Sequence, residues 1–269
     1  MRFLSWSIPL GFVAVIAALV SCGSGGPAQR EPAYYPPGHP LNPNNGNITA
    51  SPEARPVSLP PVKTPSQLYR EANVVRALIP NGKHARKYKR YMNPRYITIH
   101  STQNYSPAAD AMQHARALNN GKLRAYKRRG GNRTGYLAWH FSTDQDRTVQ
   151  HLPENEQGEH ADFDGPGNNY SIGIEMCENR GNSRTRTIDR TARLAAYLMH
   201  KHDIPLRNIV PHYHWPRKGA STPNKNCPHF LMDNGRPGAK WRWFQGRVNF
   251  YYKQITEPAP QFPIAMNAQ

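Results

Sequence analysis

In Val210–Trp215 and Asn224–Cys227 together the chain gathers two imidazoles, an ammonium and a thiol into one loop. The loop reads Val210-Pro-His-Tyr-His-Trp215 and then, after an interval, Asn224-Lys-Asn-Cys-Pro-His229. The stretch is too rich in Pro, Gly, Ser and Asn to be a helix. Imidazole plus thiolate is the donor set that a borderline-soft ion such as zinc prefers. Three protein donors leave a reactive position open and four close the site, so the fold is constrained by whatever else completes the set. The best candidate lies far upstream, at the end of Tyr96-Ile-Thr-Ile-His-Ser-Thr102.

The preceding residues read as an export signal and a spacer. Arg2 is followed by an apolar run, Ile8 to Val20, shorter than the ~20 residues a comfortable membrane span needs. It fits the apolar region of a secretory signal, and it ends in Leu19-Val-Ser-Cys22, which is similar to the lipobox of bacterial lipoproteins. That resemblance implies cleavage before Cys22 and a lipid on its thiol. Residues 1–22 are thus expected to be a lipoprotein signal peptide, tethering the chain to a membrane of the cell envelope, on its periplasmic face. The next segment, 23–66, holds 11 of the 26 prolines, so it cannot bury enough apolar surface to offset its ordering entropy. It reads as an extended spacer reaching at most ~120 Å at ~3.1 Å per residue. Residues 67–257 are left as one domain large enough for a real core, with 258–269 as a tail.

Net charge is +18, which draws a protein toward anionic polymers. Nucleic acid is the first such polymer to consider, and an export signal excludes it as the expected partner. Envelope polymers carrying carboxylates or phosphates fit the compartment.

Tyr96 to His100 alternates and is rich in β-branched and aromatic residues, so it reads as a strand. Tyr96, Thr98 and His100 share one face, and Ile97 and Ile99 the other. A lone strand-end histidine is more often structural than a ligand, so His100 gains weight only from its partners. Pro107 to Leu118 reads as a helix capped by Ser106. Tyr136 to Ser142 and Thr148 to Leu152 form a hairpin turning at 144–147, and Glu156 to Tyr170 a loop.

Ser171-Ile-Gly-Ile-Glu-Met-Cys177 is a second strand, with Ile172, Ile174 and Met176 toward the core. Glu175 faces the other way, as a site carboxylate or as a salt-bridged glutamate of the sheet surface. Thr187 to His202 is a helix whose core face is Ile188, Ala192, Ala195 and Met199. Gly238 to Ile255 is an aromatic helix whose Trp241, Trp243, Phe244, Phe250 and Tyr251 are assigned to core packing. The order of elements predicts an α/β fold, a mixed central sheet flanked by helices, with strand ends and the 210–229 loop converging on one sheet edge.

If His100, His212 and Cys227 meet, two neutral imidazoles and a thiolate leave a zinc ion one open position. Zinc then lowers the pKa of its water toward ~7. Glu175 is the candidate to move the proton, and Lys225 the candidate to stabilise developing negative charge.

Four ordered segments carry a family resemblance: Ile-Thr-Ile-His-Ser-Thr102, Trp139-His-Phe, Ser-Ile-Gly-Ile-Glu-Met-Cys-Glu-Asn179, and the Pro-His-Tyr-His-Trp…Lys-Asn-Cys-Pro loop. Together, over about Asn73 to Leu231, they resemble the type 2 N-acetylmuramoyl-L-alanine amidases, zinc enzymes that share a fold with phage lysozyme-type amidases and peptidoglycan recognition proteins. The resemblance implies His100, His212 and Cys227 as zinc ligands, Glu175 beside the catalytic water and Lys225 at the site. It also implies peptidoglycan or muropeptides as substrate; the chain is expected to act as a monomer. Two departures matter. The long 216–224 interval keeps His214 as second choice to His212. Glu159 stands where relatives carry Trp before His-Ala, so no substrate contact is carried over to His160.

Three rivals share these residues: a peptidoglycan-binding domain that does not cut, a cysteine hydrolase with Cys227 as nucleophile, and a structural domain with a Cys177–Cys227 disulfide.

Overall fold

The computed structural model describes residues 63–125, 133–216 and 224–257. The signal, Cys22, most of the 23–66 spacer and the 258–269 tail lie outside the described residues. None of the described helices is long and apolar enough to cross a membrane.

The core of the architecture is a six-stranded sheet in the order β1-β4-β3-β5-β2-β6. Its strands are β1 (Val74–Arg76), β2 (Tyr96–Ser101), β3 (Phe141–Thr143), β4 (Thr148–Gln150), β5 (Ser171–Met176) and β6 (Ile209–Pro211). All pairings are parallel except β3 with β4. This is the mixed sheet the sequence predicts. The helices are α1 (Pro65–Glu71), α2 (Ala111–Asn119), the single turn α3 (Pro166–Asn169), α4 (Arg184–His202) and α5 (Ala239–Thr256).

Strand alternation divides the sheet into two chemically distinct faces. Ile97, Ile99, Ile172, Ile174 and Met176 are fully buried in one cluster with Ala192, Ala195 and Met199 of α4 and Trp241, Phe244 and Val248 of α5. Asp189 of α4 joins the two helices, accepting from Arg247 Nε at 2.8 Å and Tyr251 Oη at 2.6 Å. The opposite face carries Thr98, His100, Gly173 and Glu175 and is overlaid by α2 and the 156–170 segment. A mostly parallel sheet with both faces covered buries its central strands on both sides. Here one cover is apolar and the other polar.

Several boundaries differ from expectation. Helix α2 starts at Ala111, not Pro107, because the Asp110 carboxylate takes the Gln113 N–H at 2.7 Å. Ser106 closes only a preceding turn, accepting the Ala109 N–H on its carbonyl. The hairpin strands are shorter than predicted. Residues 136–140 are held instead by the isolated bridges Arg124↔Tyr136 and Ala138↔Glu159 and by His140 N–H on the Gly173 carbonyl. The 156–170 loop contains α3. Helix α4 begins a turn early, at Arg184, with Ser183 as cap. On α5, Phe250 is 41% exposed and Trp243 only partly buried, so those two aromatics are not core. Helix α1, unforeseen, takes in the last two residues of the expected spacer and starts with a Thr64/Gln67 capping box. No disulfide forms: Cys177 and Cys227 are both free and buried.

Ile174 sits at the centre of β5 between α4 and its strand neighbours, with no exposed surface. Ile174→Ala is expected to cost ~2–5 kcal/mol, the range for emptying a closed aliphatic site. The shift in urea-unfolding midpoint at unchanged slope measures it.

Candidate metal centre

Parallel pairing of β2 with β5 sets His100 directly opposite Glu175. Paired residues of adjacent strands point to the same face, and His100 Nδ1 lies 3.9 Å from Glu175 Oε1. The next strand on the other side, β6, ends at Pro211. The chain then turns through a 3-10 turn, His212–His214, that brings His212 Nδ1 to 2.9 Å from His100 Nδ1. Cys227 arrives from the far end of the loop, fixed because its carbonyl accepts the Tyr213 N–H at 3.1 Å. Its Sγ accepts the Ser101 N–H at 3.4 Å. His100, His212 and Cys227 offer ligand atoms all within 4.8 Å of one another, and all three are buried. His214 is exposed and stacks edge-on against Trp215, so of the two histidines it is His212 that lies beside His100 and Cys227.

Hydrogen bonds on the outer ring nitrogens set the tautomers. His160 Nε2 faces the Ser171 carbonyl at 3.3 Å, an acceptor, so it carries the proton. His160 Nδ1 is then an acceptor, and His100 Nε2 donates to it at 3.0 Å. His212 Nε2 donates in the same way to the Ala161 carbonyl at 3.2 Å. Burial, reinforced by the neighbouring imidazoles, pushes His100 well below the usual histidine range, and the same holds for His160. Both inner Nδ1 atoms therefore present lone pairs to each other. Facing acceptors at 2.9 Å repel unless a cation or shared proton sits between them, and a neighbouring sulfur makes the set one that a metal ion could occupy.

The remaining groups agree. Burial pushes the Cys227 thiol up to about 12, with Glu175 adding to the rise and Lys225 opposing it. Burial likewise raises the Glu175 carboxyl to about 7; the Lys225 charge opposes this and Glu178 adds to it. Glu175 Oε2 is buried and has no hydrogen-bond partner among the described residues. A buried thiol whose pKa is raised instead of lowered is the reverse of an activated nucleophile, which argues against the cysteine-hydrolase reading.

His160, from which no role was carried over, turns out to support His100 from beneath. It is buried over Gly173, where a Cβ would fall 2.8 Å from the imidazole. A glycine inside a strand marks such a close approach, and that was the available signal. The segment carrying His160 and the Ala161 carbonyl is itself fastened. Asn168 Oδ1 accepts both the His160 and Ala161 N–H at 2.8 Å, and the Asp162 carboxylate accepts those of Gly167 and Asn168. Trp215 closes the other side, its Nε1 donating to Thr98 Oγ1 at 2.8 Å. Glu159, in the position of the relatives' Trp, points away to Arg90 and Thr134.

Comparison with known proteins agrees with this geometry. N-acetylmuramoyl-L-alanine amidase XlyA of Bacillus subtilis (strain 168) is 38% identical over 162 residues, covering 60% of this chain and 48% of that protein. N-acetylmuramoyl-L-alanine amidase CwlH of the same organism is 33% identical over 175 residues, covering 64% and 60%. The chain thus spans about half to three-fifths of the length of these relatives. The solved catalytic domain of XlyA superposes with a TM-score of 0.53 at 37% identity, over 65% of this chain and 99% of that one. The family model described as N-acetylmuramoyl-L-alanine amidase matches residues 90–230, more than half of the sequence and the whole span from β2 to Cys227, and the chain belongs to that family.

Proposed function

We propose that the chain is a zinc-dependent N-acetylmuramoyl-L-alanine amidase, hydrolysing the amide between N-acetylmuramic acid and the L-alanine of peptidoglycan stem peptides. The observation that carries this reading is the convergence of two imidazole nitrogens and one sulfur, from three separate segments, within 4.8 Å. Family membership supports the substrate class. Export and tethering through Cys22, placing the domain at the cell wall, belong to the same proposal and rest on the sequence of residues 1–22.

His100 Nδ1, His212 Nδ1 and Cys227 Sγ would hold the ion. When bound, zinc supplies a Lewis acid and a water acidic enough to attack an amide near neutral pH. Glu175, across the strand pair from His100, takes the proton of the attacking water and delivers it to the departing amine. Its raised pKa suits both halves of that task. Lys225 offsets negative charge growing on the scissile carbonyl oxygen; losing such a stabiliser costs ~10²–10³ in rate. His160 and the Ala161 carbonyl keep the two imidazoles in the tautomer that donates Nδ1. A peptidoglycan-binding domain that does not cut would need neither Cys227 nor Lys225, and both are in place.

Digestion of purified peptidoglycan is expected to release free stem peptides bearing an L-alanine N-terminus, detected by mass. Glycopeptides left intact by a zinc-loaded protein would reduce the chain to a wall-binding domain. Glu175→Gln should keep its zinc and lose at least ~10²-fold in turnover, whereas His100→Ala and Cys227→Ala should lose the metal, as elemental analysis would show.

Zinc binding should also displace the Cys227 proton, because the thiol is neutral without a cation and a ligand must be a thiolate. At about pH 8.5 Glu175 is already ionised, its value being about 7. Calorimetry in buffers of different ionisation enthalpy should then show ~1 more proton released per zinc by the wild type than by Cys227→Asp, the bound water contributing alike to both.

A further inference from the structure

The sequence cluster Lys83-His-Ala-Arg-Lys-Tyr-Lys-Arg90 does not behave as one charged loop. Arg86 turns inward and forms a two-pronged pair with Glu156, both contacts at 2.8 Å, with its Nη1 on the Ile79 carbonyl. Arg90 turns inward onto Glu159 at 3.0 Å. Lys83, Lys87 and Lys89 turn outward and are exposed. Tyr88 and Tyr91, beside them, are 57% and 65% exposed, high values for large aromatic side chains.

A second segment joins this surface. His84 packs so closely on Gly121 that a Cβ there would fall 2.3 Å from its Nδ1. The Tyr136 ring lies between His84, at 5.2 Å between centroids, and the Arg124 guanidinium, at 4.1 Å. Lys122 and Arg124 are exposed here. Neither 83–95 nor 116–125 contains an acidic residue. Among the described residues, no carboxylate lies within ion-pair reach of Lys83, Lys87, Lys89, Lys122 or Arg124, although fourteen such pairs form elsewhere. The inward arginines thus take up the local acids, leaving five cations without a carboxylate partner, Lys87 over the Tyr88 ring and Arg124 over the Tyr136 ring among them, beside two exposed tyrosines.

We propose that this surface is a second wall-binding site, separate from the metal centre, that holds a polyanionic glycan. Several cations without paired carboxylates on one stretch of surface attract a repeated negative charge more than a single ion. Exposed tyrosine rings beside them offer flat faces for sugar rings, which a purely electrostatic patch would lack. The polymer's identity rests on the amidase reading; the patch itself does not. Two sources carry the same chemistry, the stem-peptide carboxylates of peptidoglycan and phosphodiester polymers attached to it.

The test uses the full chain carrying Glu175→Gln, so that binding is read without cutting, and insoluble sacculi as the probe. With Lys83→Gln, Lys87→Gln, Lys89→Gln and Lys122→Gln combined, affinity in co-sedimentation at low salt should fall ~10-fold or more. Wild-type binding should weaken between 0.05 and 0.3 M NaCl, as screening requires. In a separate pair of proteins with Glu175 intact, turnover of a soluble muropeptide by the fourfold lysine variant should match that of the wild type. Stripping phosphodiester polymers from the sacculi, or amidating their carboxylates, assigns the source according to which treatment removes the difference between wild type and variant. Sacculus binding unchanged by the four substitutions, binding indifferent to salt, or a loss seen with duplex DNA and not with sacculi would each overturn the proposal. Loss of soluble-substrate turnover by the wild type would count against the amidase reading and leave the patch standing.

Discussion

Parallel pairing between β2 and β5 is the constraint on which the site depends. It fixes His100 opposite Glu175, and because side chains alternate, it sends Ile99 and Ile174 to the other face in the same step. A slip of one residue would bury the imidazole and carboxylate under α4 and expose the isoleucines. The register that builds the core is therefore the register that builds the site, and burial of fully enclosed isoleucines stabilises both. Strand β6 extends the logic by one neighbour: pairing of Ile99 with Pro211 places His212 just past the sheet edge, next to His100.

Rigidity comes from the polar cover. A three-residue strand and a 3-10 turn are weak supports for a site histidine, yet the turn is held at three points: His212 Nε2 on the Ala161 carbonyl, the Tyr213 N–H on the Cys227 carbonyl and Trp215 Nε1 on Thr98. The segment providing Ala161 is stapled in turn by Asp162 and Asn168. The orientation of the two imidazoles is thus set by groups behind them, the usual condition for holding a histidine in one tautomer.

What the sequence revealed follows from how local each signal is. The two central strands, the hairpin and α4 were legible because alternation and 3.6-residue spacing are properties of adjacent residues. The ligands could be proposed because a thiol and imidazole in a Pro/Asn-rich loop have few other uses. Caps were misjudged where competing candidates sat close together: Ser106 and Asp110 both precede α2, and Asp110 caps it beside the distant Asp144 carboxylate, which takes the Ala111 N–H. Helix α1 was hidden by its own prolines, although Thr64 and Gln67 spell a capping box. His160 was invisible as a partner of His100 because their contact spans sixty residues, with Gly173 as its one local trace. The inward turn of Arg86 and Arg90 was equally non-local, since their acids are some seventy residues away.

Charge explains why these pieces make a site rather than merely a core. Two neutral imidazoles face each other with lone pairs, a thiol is raised to about 12, and a carboxyl is raised to about 7. Burial produces each of these perturbations, and each would be relieved by positive charge at the same point. Lys225 opposes the shifts of Cys227 and Glu175 but does not cancel them, and it presses His100 further from protonation. A small divalent cation would suit all four groups together: it could take the lone pairs, favour the thiolate and draw down the carboxyl, which is why burial and charge here fit the metal site proposed for this family's fold.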